Sequence, residues 1–569
     1  MGSVDMKLDR RNLLKGIGAA GVSLTFAGHA SAADGATRYI VLGGGNGVTR
    51  RLDGDEFSVT RELAGGDVLI VSGPADSVDE LNGVRGVNGA VRDAQFRLEE
   101  PAETELPDAE HGDHGGVESD WYENLWDKQN SEAVAANEIA TGEGAQIGII
   151  DTGIDYAHPD LTPNLDADAG RLFREDEILS GQGEDIVVNE PFPPEEPTIS
   201  DDPIEDETVQ VVDQNVASDV NGHGTHVAGI AAADPDEGFS GFGSGVQGVA
   251  PDADLISYRV FWWRFFDEDE VDDDEEPGWG PTTTTCDILT SIDFGAEQGL
   301  DAVNLSLGTP PFQPRVHQDE ELRNTRLAYE TVVRSAVNRG TIVVASAGNA
   351  DTDLQRRGLF SLPNSTKGAM SISALAPNDE RAFFSNFGTN EIDVGAGGGA
   401  YETLQKTFVG VVEWAQAGQP LRRSNHPLEE GDEATLFLDE DGNVTLDADE
   451  IEEVITVEAP AWPYPFNLVF STTSPLNEGL PYGWKAGTSM SAPNTAGLVA
   501  LVKELRPDAS PNQVESAIKK GAEGGNGRGD PEFGAGRINA LHTVEALADD
   551  GGPGNGNGGS NGGGNGNGN

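Results

Sequence analysis

Cysteine is almost absent from this sequence: the 569 residues contain one, Cys286. A single cysteine cannot form an internal disulfide framework, which excludes the small disulfide-rich secreted domains and leaves the hydrophobic core to stabilise the fold. No paired histidine motif lies near residues 285–289. We therefore predict that Cys286 is a packed small residue rather than a nucleophile.

Positive charge is also scarce. The chain has 35 Lys and Arg against 99 Asp and Glu, a formal net charge of −64, and the acidic residues are spread over its whole length. Such a chain repels nucleic acid, so we expect no DNA or RNA partner. Its self-repulsion should destabilise the compact state in dilute buffer, whereas at about 1 M salt the Debye length falls to roughly 3 Å. The composition predicts a salt-adapted protein from a halophilic archaeon.

Long hydrophobic runs are missing as well. The weakly apolar residues 16–28 are too few and too rich in glycine to cross about 30 Å of hydrocarbon, so we expect no stable membrane insertion. The paired Arg10 and Arg11 precede this run, and the small-x-small pattern Ala30-Ser31-Ala32 follows it. These features predict a signal peptide over residues 1–32, of the twin-arginine type that exports folded proteins to the exterior.

The rest of the chain divides by composition. Residues 37–98 contain strand-like apolar runs at 39–42 and 68–71 and a helix start near Asp76, which predict a small α+β unit. Residues 99–120 are acidic and rich in proline and glycine, typical of a linker. Residues 121–548 form the main domain, and the Gly/Asn-rich residues 549–569 are predicted to be a disordered tail.

Three short motifs in the main domain suggest chemistry. Residues 146–151 are an apolar run ending in Asp151, as expected of a buried parallel strand with an acid at its carboxyl end. His223 opens a helical run of small residues, and Ser489 opens a second helix. An acid, a base and a hydroxyl nucleophile in this order match one known chain order of an Asp/His/Ser triad.

Each motif alone has a simpler explanation. A strand-end aspartate caps the following turn, and serine is a favoured helix N-cap. A zinc site is disfavoured because His223 and His226 are three residues apart and no glutamate lies between them. A lipase-type Gly-x-Ser-x-Gly elbow is excluded because Ser491 stands where the second glycine would be.

Two further stretches, residues 302–308 and 343–349, make the match specific. With the three motifs, the chain resembles the subtilisin-like serine proteases, and its acidity resembles the secreted halolysin-type proteases of haloarchaea. The resemblance implies a subtilisin-like three-layer α/β fold with a mostly parallel central sheet over 121–548. A small ferredoxin-like α+β propeptide over 37–98 would precede it and act as an intramolecular inhibitor.

The resemblance also implies roles for individual residues. Asp151 would orient His223, the base that activates Ser489, and Asn349 would donate its side-chain N–H to the oxyanion. Ser306, Leu307 and Gly308 would pair with the substrate backbone, and Ala347 and Gly348 would line the specificity pocket. The chemistry needs no cofactor, although structural calcium is compatible with the family and Asp160 matches a calcium-binding position. The partners would be polypeptide substrates and the chain's own propeptide, and the protein would be a monomer.

Three acidic inserts depart from the family pattern. Residues 163–219 have no clear period and are predicted to be a surface loop or disordered insert. In residues 261–284, the aromatic side chains of 261–266 would either shape the S2–S4 subsites or anchor an acidic flap. In residues 395–465, the runs 434–438 and 444–446 predict a β-hairpin. An EF-hand there is rejected because Val444 replaces the required glycine.

The sequence thus predicts a secreted, salt-adapted serine endopeptidase that acts through an acyl-enzyme on Ser489. Two alternatives remain at this point: a non-catalytic surface-binding protein on a protease scaffold, and an esterase that uses the same triad.

Overall fold

The structure is a computed structural model of the chain. It describes residues 22–29, 36–43, 46–54, 56–99, 121–181, 189–190, 209–210, 215–235, 245–266, 278–312, 319–401, 403, 406, 430–438, 451–474, 481–525 and 529–550. We call residues 36–99 the N-terminal unit and residues 121–550 the main body. The predicted linker and tail lie outside the described residues except at their ends.

The N-terminal unit is an antiparallel sheet with two short helices. After strand β1 (Val22–His29), its elements are β2 (Thr37–Gly43), α1 (Asn46–Leu52), β3 (Ser58–Leu63), β4 (Val68–Gly73), α2 (Val78–Gly83), β5 (Val87–Arg92) and β6 (Ala94–Glu99). Four of the strands pair antiparallel in the order β3-β4-β2-β5. This order and the βαββαβ chain path are those of a ferredoxin-like fold, which confirms the prediction for this region.

The main body begins with a 3₁₀ turn at Trp121–Asn124. Its first half contains α3 (Trp126–Asn130), α4 (Ala133–Ala136), β7 (Gln146–Asp151), β8 (Arg171–Arg174), β9 (Glu177–Leu179), β10 (Asn189–Glu190), β11 (Val209–Gln210), α5 (His223–Ala232), β12 (Asp254–Arg259), β13 (Trp262–Phe266), β14 (Gly278–Thr284), α6 (Thr285–Gln298), β15 (Ala302–Leu305) and β16 (Leu307–Gly308).

Its second half contains α7 (Glu320–Arg339), β17 (Ile342–Ser346), β18 (Ala369–Leu375), β19 (Val394–Gly397), β20 (Glu433–Leu438), β21 (Glu453–Glu458), β22 (Val469–Thr472), β23 (Tyr482–Lys485), α8 (Thr488–Leu505), α9 (Pro511–Gly521) and α10 (Ala540–Asp550). Among the described residues, no helix is both long enough and apolar enough to cross a membrane.

The central sheet has eight strands in the order β19-β18-β17-β15-β7-β12-β8-β9. The pairs from β19 to β8 are parallel, and the pair of β8 with β9 is antiparallel. The carboxyl ends of β7, β15 and β17 therefore lie side by side at one edge of the sheet, where α/β proteins build their sites. The predicted mostly parallel α/β fold is confirmed.

Helices cover both faces of this sheet because alternate strand residues point to opposite sides. Ile149 packs into a core cluster with Val227 of α5 and Leu498 of α8. The next residue, Ile150, packs into a second cluster with Ile288 of α6 and Val332 of α7. The molecule is thus a helix–sheet–helix sandwich, and α5 and α8 lie on the same side.

The N-terminal unit packs against α6 and α7. Its residues Ile40, Ile70 and Phe96 belong to the same buried cluster as Ile288 and Val332 of the main body. A second sheet, in the order β13-β14-β6-β1-β16, also joins the two parts. Its strand β1 lies inside the segment predicted to be a signal peptide and pairs in parallel with β16.

Two inserts differ from expectation. Part of the 163–219 insert is regular, since β8 and β9 extend the central sheet at its edge instead of forming a loop. In the 395–465 insert, the predicted hairpin pairing was wrong: β20 pairs with β21, with Leu438 opposite Glu453, and not with residues 444–446. The partner strand was missed because Ile455 and Val457 of β21 pack onto a separate hydrophobic cluster of the main body, which is a tertiary contact.

The aromatic insert is partly buried. Phe261 is fully buried and Trp262 is 7% exposed, and Phe261 belongs to the core cluster that Ile288 joins. These two positions therefore favour the anchoring interpretation of the insert. Residues 267–277 lie outside the described residues.

Candidate active site

The edge formed by the carboxyl ends of β7, β15 and β17 collects most of the residues singled out in the sequence. Asp151 ends β7, Ser306 follows β15 directly, and residues 347–349 follow β17. The three strands are neighbours in one parallel sheet, so the turns after them meet at one place. His223 and Ser489 reach this edge from the first turns of α5 and α8.

Asp151 and His223 form a direct contact. His223 Nδ1 lies 2.8 Å from Asp151 Oδ1, and Asp151 is fully buried. The same carboxylate oxygen accepts a hydrogen bond from the Thr152 amide at 2.7 Å. An ionised carboxylate only accepts, so Nδ1 must carry the proton and Nε2 is left with a lone pair to take up another.

Ser489 is the second residue of α8 and is 1% exposed. Its hydroxyl donates to the Ser306 carbonyl at 2.9 Å, while Ser306 Oγ donates to the Ser489 carbonyl at 2.7 Å. Within the described residues, His223 Nε2 makes no hydrogen bond. The nucleophile–base contact is therefore not formed here, a common state of such pairs in the absence of substrate.

Asn349 is held by Thr488, the residue before Ser489. Both the backbone N–H and the hydroxyl of Thr488 donate to Asn349 Oδ1 at 2.9 Å. The Thr488 hydroxyl also accepts from the Gly348 amide at 3.0 Å. Because these bonds fix the amide with Oδ1 facing Thr488, Nδ2 is the group left to donate elsewhere. Thr488 was missed in the sequence, where only its position beside Ser489 could have indicated a role.

The remaining predicted site residues line the same edge. Leu307 and Gly308 form the short strand β16, which pairs with another strand through its backbone. The Ala347 carbonyl accepts from the side-chain amides of Asn364 and Asn386, and Gly348 has a φ of +96°, a conformation that favours glycine.

His226, one turn after His223, has a different environment. It is fully buried, and burial holds the pKa of its imidazole well below the ordinary value. Its helix packs closely on β22, since the Ser471 hydroxyl donates to the His226 carbonyl and Gly229 has no room for a side chain beside Thr472. The imidazole of His226 is therefore neutral and contributes to packing.

Asp160, the predicted calcium ligand, is also fully buried. Its Oδ2 accepts hydrogen bonds from the Val246 amide at 2.8 Å and from the Tyr482 hydroxyl at 2.9 Å. These two donors both contact Oδ2 and suit an ionised carboxylate. Among the residues that the structure describes, no group of three or more His, Cys, Asp or Glu side chains could hold a metal ion. The calcium role of Asp160 therefore stays a prediction.

Cys286 is buried in the first turn of α6, and burial raises its thiol pKa well above the ordinary value. A thiol that stays protonated is a poor nucleophile, so Cys286 belongs to the packing of the helix.

Comparisons with known proteins identify the family. The model of the subtilase family (Peptidase_S8) matches residues 142–536. The thermophilic serine proteinase of Bacillus sp. (strain AK1) is 30% identical over 262 residues, 46% of this chain and 46% of that protein. The minor extracellular protease Vpr of Bacillus subtilis (strain 168) is 25% identical over 452 residues, 66% of this chain and 48% of that protein. The chain thus spans about half the length of both relatives.

A solved structure supports the fold independently. The epidermin leader peptide processing serine protease of Staphylococcus aureus superposes with a TM-score of 0.57 at 18% identity, covering 90% of this chain and 98% of that one. At this identity the similarity concerns the fold alone.

Proposed function

The chain belongs to the subtilase family of serine proteases, and we propose that it is an endopeptidase whose triad is Asp151, His223 and Ser489. The observation that carries the proposal is the 2.8 Å contact of the buried Asp151 carboxylate with His223 Nδ1. It lies at the sheet edge that Ser489 approaches from the start of α8. Each of these residues alone would have an ordinary structural explanation, whereas their meeting at one edge would not.

The reaction proceeds by acyl transfer. His223 Nε2 takes the proton of the Ser489 hydroxyl as the oxygen attacks the peptide carbonyl carbon. Asp151 stabilises the imidazolium that results and keeps the ring in one tautomer. His223 then protonates the leaving amine, and a water molecule, deprotonated by the same nitrogen, releases the acid product. No cofactor takes part.

Two donors stabilise the tetrahedral intermediate: Asn349 Nδ2 and the Ser489 backbone N–H at the positive end of α8. The Thr488 bonds to Asn349 Oδ1 support this role, because they orient the amide before substrate arrives. The backbone of Ser306, Leu307 and Gly308 binds the peptide as an added strand, and Ala347 and Gly348 line the pocket for the side chain before the scissile bond.

The N-terminal unit acts as an intramolecular inhibitor, or propeptide. Its shared core with α6 and α7 supports this role, as does the antiparallel pairing of its strand β6 with β14. The pairing of β1 with Leu307 and Gly308 does not bear on this role, because β1 belongs to the signal-like segment and not to the N-terminal unit. In this role, release of the N-terminal unit precedes activity.

The protein is secreted as a monomer through the twin-arginine route. The signal-like residues 1–32 support export, and the similar protease Vpr is described as extracellular. The proposal includes a resemblance of this chain to the halolysin-type proteases. Because its net charge is −64, high salt is its working medium.

The test is the hydrolysis of casein in high salt by Ser489→Ala beside the control Ser491→Ala. Ser491 is buried two residues further along the same helix, and within the described residues its hydroxyl makes no hydrogen bond. We expect Ser489→Ala to abolish cleavage and Ser491→Ala to retain it. Cleavage by Ser489→Ala would disprove the proposal, and preferential turnover of simple esters over peptides by the wild type would replace it with an esterase.

A further inference from the structure

We propose that Asp219 is a positioning residue for the reaction: it holds the helix that carries His223 against the strand end that carries Asp151. The inference rests on the proposed function, because it concerns how the triad is aligned. Asp219 lies four residues before His223 in a loop and does not touch the reacting atoms.

The Asp219 carboxylate accepts hydrogen bonds from both sides of this junction. On the helix side, Oδ1 accepts from the amides of Asn221 at 3.0 Å and Gly222 at 2.9 Å. Oδ2 accepts from the Thr225 amide at 2.8 Å and from its hydroxyl at 2.5 Å. A single carboxylate thus bonds to Asn221 and Gly222 before His223 and to Thr225 after it.

On the strand side, the contact is made by Thr152, the residue after Asp151. The buried Thr152 hydroxyl donates to Asp219 Oδ1 at 2.7 Å and accepts from the Gly224 amide at 2.9 Å. The Thr152 amide in turn donates to Asp151 Oδ1. Thr152 is therefore bonded both to Asp219 and to Gly224, the residue that follows His223.

A second bridge runs through Thr225. Its hydroxyl donates to Asp219 Oδ2 and accepts from the Asp155 amide at 2.9 Å. A backbone bond also joins the two segments, since the Val220 amide donates to the Thr152 carbonyl at 3.2 Å. Asp219 is the charged group at the centre of this junction, and the bonds on its two oxygens have a defined direction because a carboxylate can only accept.

An ordinary helix cap has a different pattern. Asp319 caps α7 by accepting from the amides of Glu321 and Leu322, both on its own helix. Asp219 makes bonds of this kind and adds the bond to Thr152, which belongs to another element. A displacement of about 1 Å between reacting groups can cost roughly 10²-fold in rate, so loss of the bridge should appear in catalysis.

The experiment compares kcat and KM on a chromogenic peptide for Asp219→Asn, Thr152→Val, Thr152→Ser and the control Asp319→Asn. Asn at 219 keeps the shape but turns one oxygen into a donor that faces other donors. Val at 152 keeps the shape but removes the hydroxyl, whereas Ser retains it. The rate of inactivation by phenylmethanesulfonyl fluoride is measured in parallel, because it reports activation of the nucleophile without peptide binding.

We expect Asp219→Asn and Thr152→Val each to lower kcat and the inactivation rate by about 10-fold or more, with KM unchanged. Thr152→Ser and Asp319→Asn should match the wild type. The double variant should lose little more than the worse single variant, since both changes break one bridge.

The inference and the proposed function can fail separately. If Ser489→Ala is inactive while Asp219→Asn keeps the wild-type kcat, the positioning role is overturned and the triad stands. A rise in KM alone, or equal losses in Asp219→Asn and Asp319→Asn, would also overturn it. Activity in Ser489→Ala would instead refute the triad itself.

Discussion

Histidine is buried at several positions near the site, and His158 shows how the surroundings fix its protonation. Its Nε2 donates to the Pro481 carbonyl at 2.8 Å, and its Nδ1 accepts from the Asp160 amide at 3.2 Å. This arrangement requires the neutral tautomer, because protonation of Nδ1 would place a proton against the Asp160 N–H. Burial lowers the pKa of His158 to about 4.

This lowered pKa predicts a loss of stability in acid. Between about pH 6.5 and 4 the unfolded chain binds a proton at His158 that the folded protein does not, so the free energy of unfolding falls as pH falls, by about 3 kcal/mol at most. His158→Gln can keep one donor and one acceptor and cannot titrate. Denaturant unfolding at constant salt should therefore show a shallower pH dependence for this variant below pH 6.5. Identical slopes for variant and wild type would contradict the prediction.

Asn349 gives a residue-scale test of the oxyanion role. Asn349→Leu has a similar size and no donor, so kcat should fall by about 10²- to 10³-fold with little change in KM. Asn378→Leu is the control, since Asn378 is exposed and bonds to Glu380. Steady-state kinetics on a peptide substrate measures both. An effect of Asn349→Leu confined to KM would assign the residue to substrate binding.

At the scale of elements, a buried ion cluster joins β2 to α6. Arg38 is fully buried and donates to Asp93 Oδ2 at 2.6 Å and to Thr284 Oγ1 at 2.8 Å, with Asp287 Oδ2 at 3.7 Å. The Asp93 carboxylate also accepts from the Cys286 amide at the start of α6. Burial opposes the charged form of Arg38, but the neighbouring carboxylates raise its pKa and keep it charged.

Removing the positive charge of Arg38 should weaken the contact between β2 and α6. Arg38→Met leaves the Asp93 carboxylate buried without its cation, so the free energy of unfolding should fall by about 3–5 kcal/mol. Arg92→Met is the control: its side chain is 32% exposed, its carboxylate partners lie 3.7 Å and 3.8 Å away, and its loss should cost less than about 1 kcal/mol. Both are made in the full-length Ser489→Ala chain to prevent self-cleavage. Equal losses from denaturant unfolding would contradict the account.

The elements that could be predicted are those whose pattern lies in residues that are neighbours in the sequence. The apolar runs of β2, β4 and β7 were evident because burial is encoded in neighbouring residues. The β20–β21 pairing was not evident, because the two strands pack on hydrophobic side chains supplied by other segments of the chain. The addition of β8 and β9 to the central sheet has the same cause.

At the scale of the whole molecule, the site was predictable and its support was not. Asp151 ends a buried apolar strand and Ser306 and Asn349 closely follow two others, and parallel strands place such residues at one edge. The bonds of Asp219 to Thr152 and Thr225 arise where an aperiodic loop folds back onto the turn after β7. No residue spacing in the sequence predicts that this loop packs onto the turn after β7.

The net charge of −64 predicts a salt requirement of the whole molecule. Raising salt from about 0.1 M to about 1 M shortens the Debye length from roughly 10 Å to 3 Å and removes most of the self-repulsion. The thermal unfolding midpoint, followed by circular dichroism, should rise steadily over this range. Unchanged circular dichroism and activity after dialysis to low salt would show that the acidity is not a salt adaptation.

The most direct test of the central claim is to locate the nucleophile by mass spectrometry. The processed enzyme in high salt is treated with a fluorophosphonate, which reacts with an activated serine, and the peptides are mapped. We predict one adduct, on Ser489, formed in step with the loss of caseinolytic activity and absent in His223→Ala. An adduct on another residue, or full labelling of Ser489 in His223→Ala, would contradict the proposed triad.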